Sequence, residues 1–121
     1  MLAAKVDFAA DIIVGIVRGG LVPARLLSTE LGVKDMYALT VKKVGEERKV
    51  MSEILEDLHG KKILLVEDML ETGKSLIVAK EYLESKGAEV KTACLYTMPQ
   101  SEIVPDFSIR QIGEVVHFPW E

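Results

Sequence analysis

Short runs of β-branched and aliphatic residues alternate along the chain with longer stretches in which apolar residues recur every three or four positions. The first run, Asp11-Ile12-Ile13-Val14-Gly15-Ile16-Val17, has no polar alternation. It predicts a strand buried on both faces, as in a parallel sheet. After Arg18-Gly19-Gly20, the residues Leu21, Ala24, Leu27 and Leu31 fall at helical spacing, and Gly32 is the stop. Met36 to Val44 predicts a second strand, and Ile63 to Glu67 a third. Lys74 to Lys86 reads as an amphipathic helix ended by Gly87, and Glu89 to Thr97 as a fourth strand stopped by Pro99.

The intervening segments carry weaker signals. Gly45 to Met51, GEERKVM, reads as a mobile loop or a solvated turn. Ser52 to Leu58 reads as a short helical turn or a loop, broken by Gly60. Pro105 to Gly113 reads as irregular, and Val115 to Phe118 as a short last strand closed by Pro119-Trp120-Glu121. Strands alternating with helices predict an α/β fold: a mostly parallel twisted sheet with helices on both faces, in one domain spanning 1–121. In such sheets ligands bind beyond the C-terminal ends of the strands. Three unusual stretches fall there: Arg18-Gly19-Gly20, the turn from Glu67 to Ser75, and Thr97-Met98-Pro99.

Composition narrows the class. With 121 residues and 49% apolar content, the chain can bury a real core and is too apolar for disorder. No apolar run reaches the length of a membrane span, so no membrane partner is expected, and the N-terminal MLAAKVDFAAD lacks a signal-peptide pattern. The net charge of −4 argues against a nucleic-acid surface while leaving room for a local anion pocket. Cys94 is the sole cysteine and lies among apolar neighbours, which reads as a small buried filler in a cytoplasmic protein. His59 and His117 lack ligand spacing, which argues against zinc.

The chemistry concentrates in ILLVEDMLETGKSL, Ile63 to Leu76, where three acids precede a Gly-Lys-Ser turn. A nucleoside-triphosphate loop would need glycine where Asp68 stands, so that reading is rejected. What survives is simpler. The start of a helix at Thr72 to Ser75 offers free backbone N–H groups and a favourable dipole to a phosphate monoester. Gly73 permits close approach. The acids then suit the diols of an attached sugar, because carboxylates accept hydrogen bonds in pairs. The competing reading makes Glu67, Asp68 and Glu71 a solvated cluster at a helix start.

Four apolar residues, two acids, two apolar residues, an acid and Thr-Gly-Lys-Ser: this order resembles the phosphoribosyl pyrophosphate signature of type I phosphoribosyltransferases. IVGIVRGGLVPARLLSTELGV, Ile13 to Val33, resembles the same family's pyrophosphate-loop region, and the terminal FPWE resembles its short archaeal-type purine enzymes. The nearest groups by resemblance are the xanthine-guanine and hypoxanthine enzymes. The resemblance implies a Rossmann-like type I fold and transfer of a 5-phosphoribosyl group to a nitrogenous base, a purine, with release of pyrophosphate. It implies purine salvage in the cytoplasm, Mg²⁺ as cofactor and a homodimer. Glu67 and Asp68 take the ribose hydroxyls and hold the metal, directly or through water. Glu71 takes the place of the acid under the reacting base, one methylene longer than the usual Asp. Thr72, Gly73, Lys74 and Ser75 cradle the 5-phosphate. Arg18, Gly19 and Gly20 form the pyrophosphate loop, with the Val17–Arg18 peptide a candidate cis bond. Glu71, Asp68 and Arg18 are the catalytic candidates, and Arg48 or Lys49 of the polar segment is a candidate to close over the pyrophosphate.

Two positions depart from the family pattern. Met98 stands where the xanthine-guanine group has a lysine that contacts the purine 6-oxo group, and Val115 where an aromatic ring stacks on the base. A thioether donates no hydrogen bond and a valine offers no ring face. Trp120 reads first as a core or interface anchor, with base stacking as the other reading. The alternative function is therefore a non-catalytic regulator that binds phosphoribosyl pyrophosphate or a nucleotide.

Overall fold

The computed structural model describes residues 6–17, 19–70, 73–98 and 101–111. The elements follow in the order β1 (Ile12–Val17), α1 (Leu21–Leu31), β2 (Asp35–Val44), β3 (Glu47–Val50), β4 (Lys62–Leu70), α2 (Lys74–Ser85), β5 (Glu89–Thr97) and β6 (Phe107–Gln111). The strands form one sheet in the order β3-β2-β1-β4-β5-β6. Every neighbouring pair is parallel except β2 and β3. The mostly parallel α/β architecture is as expected.

Alternation along the strands divides the core between two faces. Ile12, Val14 and Ile16 pack with Leu76, Ala79 and Leu83 of α2. Ile13 packs with Ala24 and Leu27 of α1, beside Leu64 and Val66 of β4. The helices therefore cover opposite faces, and Ile12 to Ile16 of β1 and Ile63 to Val66 of β4 carry no polar side chain because both sides are buried. Gly15 lets α1 come close to the sheet: a Cβ there would stand 2.9 Å from the Ala24 Cβ.

Three segments differ from expectation. Gly45 to Met51 is no loop. Gly45, at φ +63°, turns the chain into the antiparallel pair of β2 and β3, with Val44 opposite Glu47 and Val41 opposite Val50. Val41 and Val50 rest on the α2-side core while their charged neighbours face water, so the charge density concealed a strand. Pro105 to Gly113 is not wholly irregular, because β6 pairs parallel to β5. Asp106 fixes its entry: the Thr92 N–H and hydroxyl both donate to Asp106 Oδ2, at 2.7 and 3.1 Å. Ser52 to Leu58 takes the loop form of the two expected; it crosses the α2 side with Ile54 and Leu58 buried, and Ser52 Oγ accepts the Thr40 N–H at 2.8 Å. Strand β4 runs on to Leu70, beyond the expected end at Glu67. The predicted strand Val115 to Phe118 lies outside the described residues.

Topology sets the location of the site. From β1 the chain crosses through α1 to β2 on one side, and from β4 it crosses through α2 to β5 on the other. Connections leave β1 and β4 in opposite directions, so a crevice opens beyond their C-terminal ends.

Candidate functional site at the switch point

The Gly19-Gly20 turn follows β1 directly. The Gly20 N–H donates to the Ile16 carbonyl at 2.8 Å, and the Gly20 carbonyl accepts the Ala24 N–H at 3.0 Å to start α1. A Cβ on Gly20 would stand 2.8 Å from both the N and O of Ile16 and collide with the Val66 carbonyl. Glycine is needed there because the turn folds back onto its own strand and β4.

Across the crevice, β4 presents Glu67 and Asp68 while still in strand conformation. Alternation turns them to opposite faces. Asp68 shares the parity of Leu64 and Val66 and points to the α1 side, where it is buried at 8% exposure. Its carboxylate lies against Gly19: a Cβ on Gly19 would stand 2.6 Å from Oδ1 and collide with Oδ2. Glu67 is half-buried and bends back so that Oε1 accepts the Asp68 N–H at 3.2 Å. Cys94 stands opposite Glu67 in register, fully buried. Burial first, then the charges of Glu67 and Asp68, push its thiol up to about 12. It stays a thiol, which agrees with the filler reading.

The start of α2 forms the third wall. Gly73 caps the helix at φ 80° and ψ 0°, with Lys74 and Ser75 as the first helical residues. The Ile77 N–H donates to the Gly73 carbonyl at 3.0 Å, closing the first turn. A side chain on Gly73 would meet Ser101 Oγ and Ile103 Cγ2, both at 2.7 Å, besides adopting a left-handed backbone. The segment 101–103 thus lies over the turn, a neighbour that sequence reading missed; the only local signal was Ser101, whose hydroxyl donates to the Ile103 carbonyl at 2.8 Å. Beside the turn, Glu46, Glu47 and Arg48 of the hairpin face Lys74, Ile77, Val78 and Glu102 across a cleft of about 350 Å³. Of the two cations singled out in that hairpin, Arg48 lines this cleft, and Lys49 is exposed opposite Lys42.

Met98 follows β5 and is buried at 6% exposure, with its carbonyl accepting the Ser101 N–H at 3.0 Å. The structure therefore brings together Gly19, Gly20, Glu67 and Asp68 at the switch point, with Gly73, Lys74 and Ser75 at the start of the helix that follows β4. Arg18, Glu71, Thr72, Val115, Trp120 and the Val17–Arg18 peptide lie outside the described residues. Among the described residues, no three His, Cys, Asp or Glu side chains converge as a metal cage.

The phosphoribosyl transferase domain family matches residues 2–121. A xanthine-guanine phosphoribosyltransferase of Cereibacter sphaeroides is 29% identical over 119 residues, covering 90% of this chain and 68% of the relative. The crystal structure of a purine phosphoribosyltransferase from Pyrococcus horikoshii superposes with a TM-score of 0.91 at 38% identity, over 99% of this chain and 84% of that one. A hypothetical protein from Neisseria gonorrhoeae, crystallised with bound ppGpp, superposes with a TM-score of 0.81 at 25% identity, over 99% of this chain and 80% of that one.

Proposed function

The chain belongs to the phosphoribosyl transferase family, and from that premise we propose that it moves the 5-phosphoribosyl group of phosphoribosyl pyrophosphate to a nitrogenous base, a purine, with release of pyrophosphate. The observation that carries this reading is the approach of Gly19-Gly20 to Asp68 at the switch point, with a glycine-capped helix following β4. Residues 1–121 act as one phosphoribosyltransferase domain in this reading.

The parts divide the labour. The N–H groups at Gly73, Lys74 and Ser75, with Thr72, hold the 5-phosphate at the positive end of α2. Glu67 and Asp68 accept the ribose hydroxyls. As the bond from the ribose carbon to pyrophosphate breaks, the electron pair leaves with the pyrophosphate and positive charge grows on the ring, as in glycoside cleavage. Asp68 and Glu71 stabilise that charge, and Arg18 with the Gly19-Gly20 turn takes the charge of the leaving group. Arg48 lines the cleft beside Lys74 at the start of α2, and in this reading it closes over the pyrophosphate from the hairpin. Glu71 accepts the proton that the base loses as its nitrogen attacks.

Mg²⁺ fits the donor set, because it is held by one or two carboxylates plus substrate phosphates rather than by a protein cage. Glu67 and Asp68 would hold it, directly or through water, and when bound it supplies positive charge to the leaving pyrophosphate. Among the described residues no helix is long and apolar enough to cross a membrane. The buried lone Cys94 supports a reducing, cytoplasmic setting. A homodimer belongs to the same reading and is supported by Val22 and Leu26, one turn apart on α1 and 37% and 61% exposed.

Following pyrophosphate release from phosphoribosyl pyrophosphate and Mg²⁺ over a panel of bases tests the proposal. Release that requires a purine supports it, and no release with any base contradicts it. The second reading, a nucleotide-binding regulator without turnover, is favoured by the Neisseria neighbour's bound ppGpp. Tight ppGpp binding without turnover would select that reading.

A further inference from the structure

What forbids a side chain at Gly19 is the Asp68 carboxylate, whose oxygens crowd the position a Cβ would take. Asp68 is buried at 8% exposure on the α1 side of β4, the side to which the Gly19-Gly20 turn belongs. Glu67, its neighbour, faces the other side and is bent back onto the main chain of Asp68. Asp68 therefore rests on the turn, while Glu67 leans onto the Asp68 main chain.

Resting on the reading of this turn as a pyrophosphate loop, we propose that Asp68 is its resident anion. The carboxylate holds the place on Gly19 that a phosphate group needs, and pyrophosphate enters only when a divalent cation draws the carboxylate aside or shares it. A bare anion meets both a filled space and a like charge. The same side chain that serves the ribose in the loaded site guards the turn in the empty one. The device favours substrate that arrives with its cation, and it makes the cation requirement a property of Asp68 rather than of the phosphate groups alone.

Calorimetry with inorganic pyrophosphate tests this on the full chain, with EDTA or with Mg²⁺, for the wild type, Asp68→Asn, Asp68→Ala and Glu67→Gln. Asp68→Asn removes the charge and keeps the shape; Asp68→Ala removes both. In EDTA we expect Asp68→Asn to bind pyrophosphate about tenfold more tightly than the wild type, and Asp68→Ala more tightly still. Glu67→Gln should gain less than Asp68→Asn, which separates local guarding from a general change in net charge. The benefit of Mg²⁺ should shrink in both Asp68 variants. If the wild type binds pyrophosphate with Mg²⁺ but neither Asp68 variant gains in EDTA, the guard is overturned while the pyrophosphate loop stands. If no form binds pyrophosphate in either condition, both fall.

Discussion

Glu67 on β4 stands directly opposite Cys94 on β5, so an acid at the mouth of the site has a buried thiol beside it. Burial and the two neighbouring carboxylates favour the neutral thiol and raise its folded pKa from 9.0 to about 12. A group whose folded pKa is raised contributes stability below its unfolded pKa and loses it as pH climbs through the folded one. Stability should therefore fall from about pH 9 towards pH 12, with a slope of about 1.4 kcal/mol per pH unit from this group. Denaturant unfolding across that range should show a flatter alkaline limb in Cys94→Ala than in the wild type. A thiol reagent at pH 8 should label the native chain far more slowly than the unfolded one.

Gly73 joins conformation to ligand binding. Its φ of +80° and the contacts to Ser101 and Ile103 leave no room for a side chain. Gly73→Val should destabilise by about 1–2 kcal/mol from the left-handed backbone alone, measured by denaturant unfolding. It should also weaken nucleoside 5-monophosphate binding beyond that, because the shifted turn no longer offers its amides. Binding at wild-type affinity in a folded Gly73→Val variant would show that the phosphate sits elsewhere.

The link between Thr92 and Asp106 is structural and lies away from the chemistry. Thr92 is 1% exposed, and both its N–H and its hydroxyl depend on Asp106. Asp106→Ala leaves these buried groups without an acceptor and should cost about 1–3 kcal/mol. The midpoint of urea unfolding should drop with little change in its slope. Phosphoribosyl pyrophosphate affinity, measured well below the transition, should stay close to wild type.

Strands β1 and β4 were legible in the sequence because burial on two faces demands apolar runs, Ile12 to Val17 and Ile63 to Val66, and β5 because Ala93 to Leu95 is apolar and Pro99 stops it; glycine marks the helix stops. The two stretches that resemble the family, Ile13 to Val33 and Ile63 to Leu76, were legible because each repeats the family's residue types in order. The hairpin strand β3 was not, since Glu47, Arg48 and Lys49 look solvated until Val50 is placed against Val41 and the α2 core. Strand β6 was hidden because its anchor, Asp106, acts through Thr92, which lies 14 residues away. The contact between Gly19 and Asp68 was out of reach for the same reason: it joins two motifs that only the sheet order brings together.

Met98 is buried at the end of β5, and its thioether side chain has no N–H or O–H to offer a 6-oxo group. A carbonyl oxygen buried without a donor costs about 1–3 kcal/mol, equal to roughly one or two orders of magnitude in affinity. Guanine, hypoxanthine and xanthine should accordingly be used with kcat/KM below about 10⁴ M⁻¹s⁻¹. Met98→Lys should raise that value for 6-oxopurines and leave phosphoribosyl pyrophosphate binding unchanged. Steady-state kinetics with each base checks both parts.

In the proposed reaction a base leaves the site carrying a phosphoribosyl group. Mass spectrometry of the wild type incubated with phosphoribosyl pyrophosphate, Mg²⁺ and a panel of purines and pyrimidines reads this directly. The predicted result is a nucleoside 5-monophosphate of a purine, formed with one pyrophosphate released per nucleotide and reduced by roughly two orders of magnitude or more in Arg18→Ala. Bound phosphoribosyl pyrophosphate with no nucleotide formed from any base would contradict it.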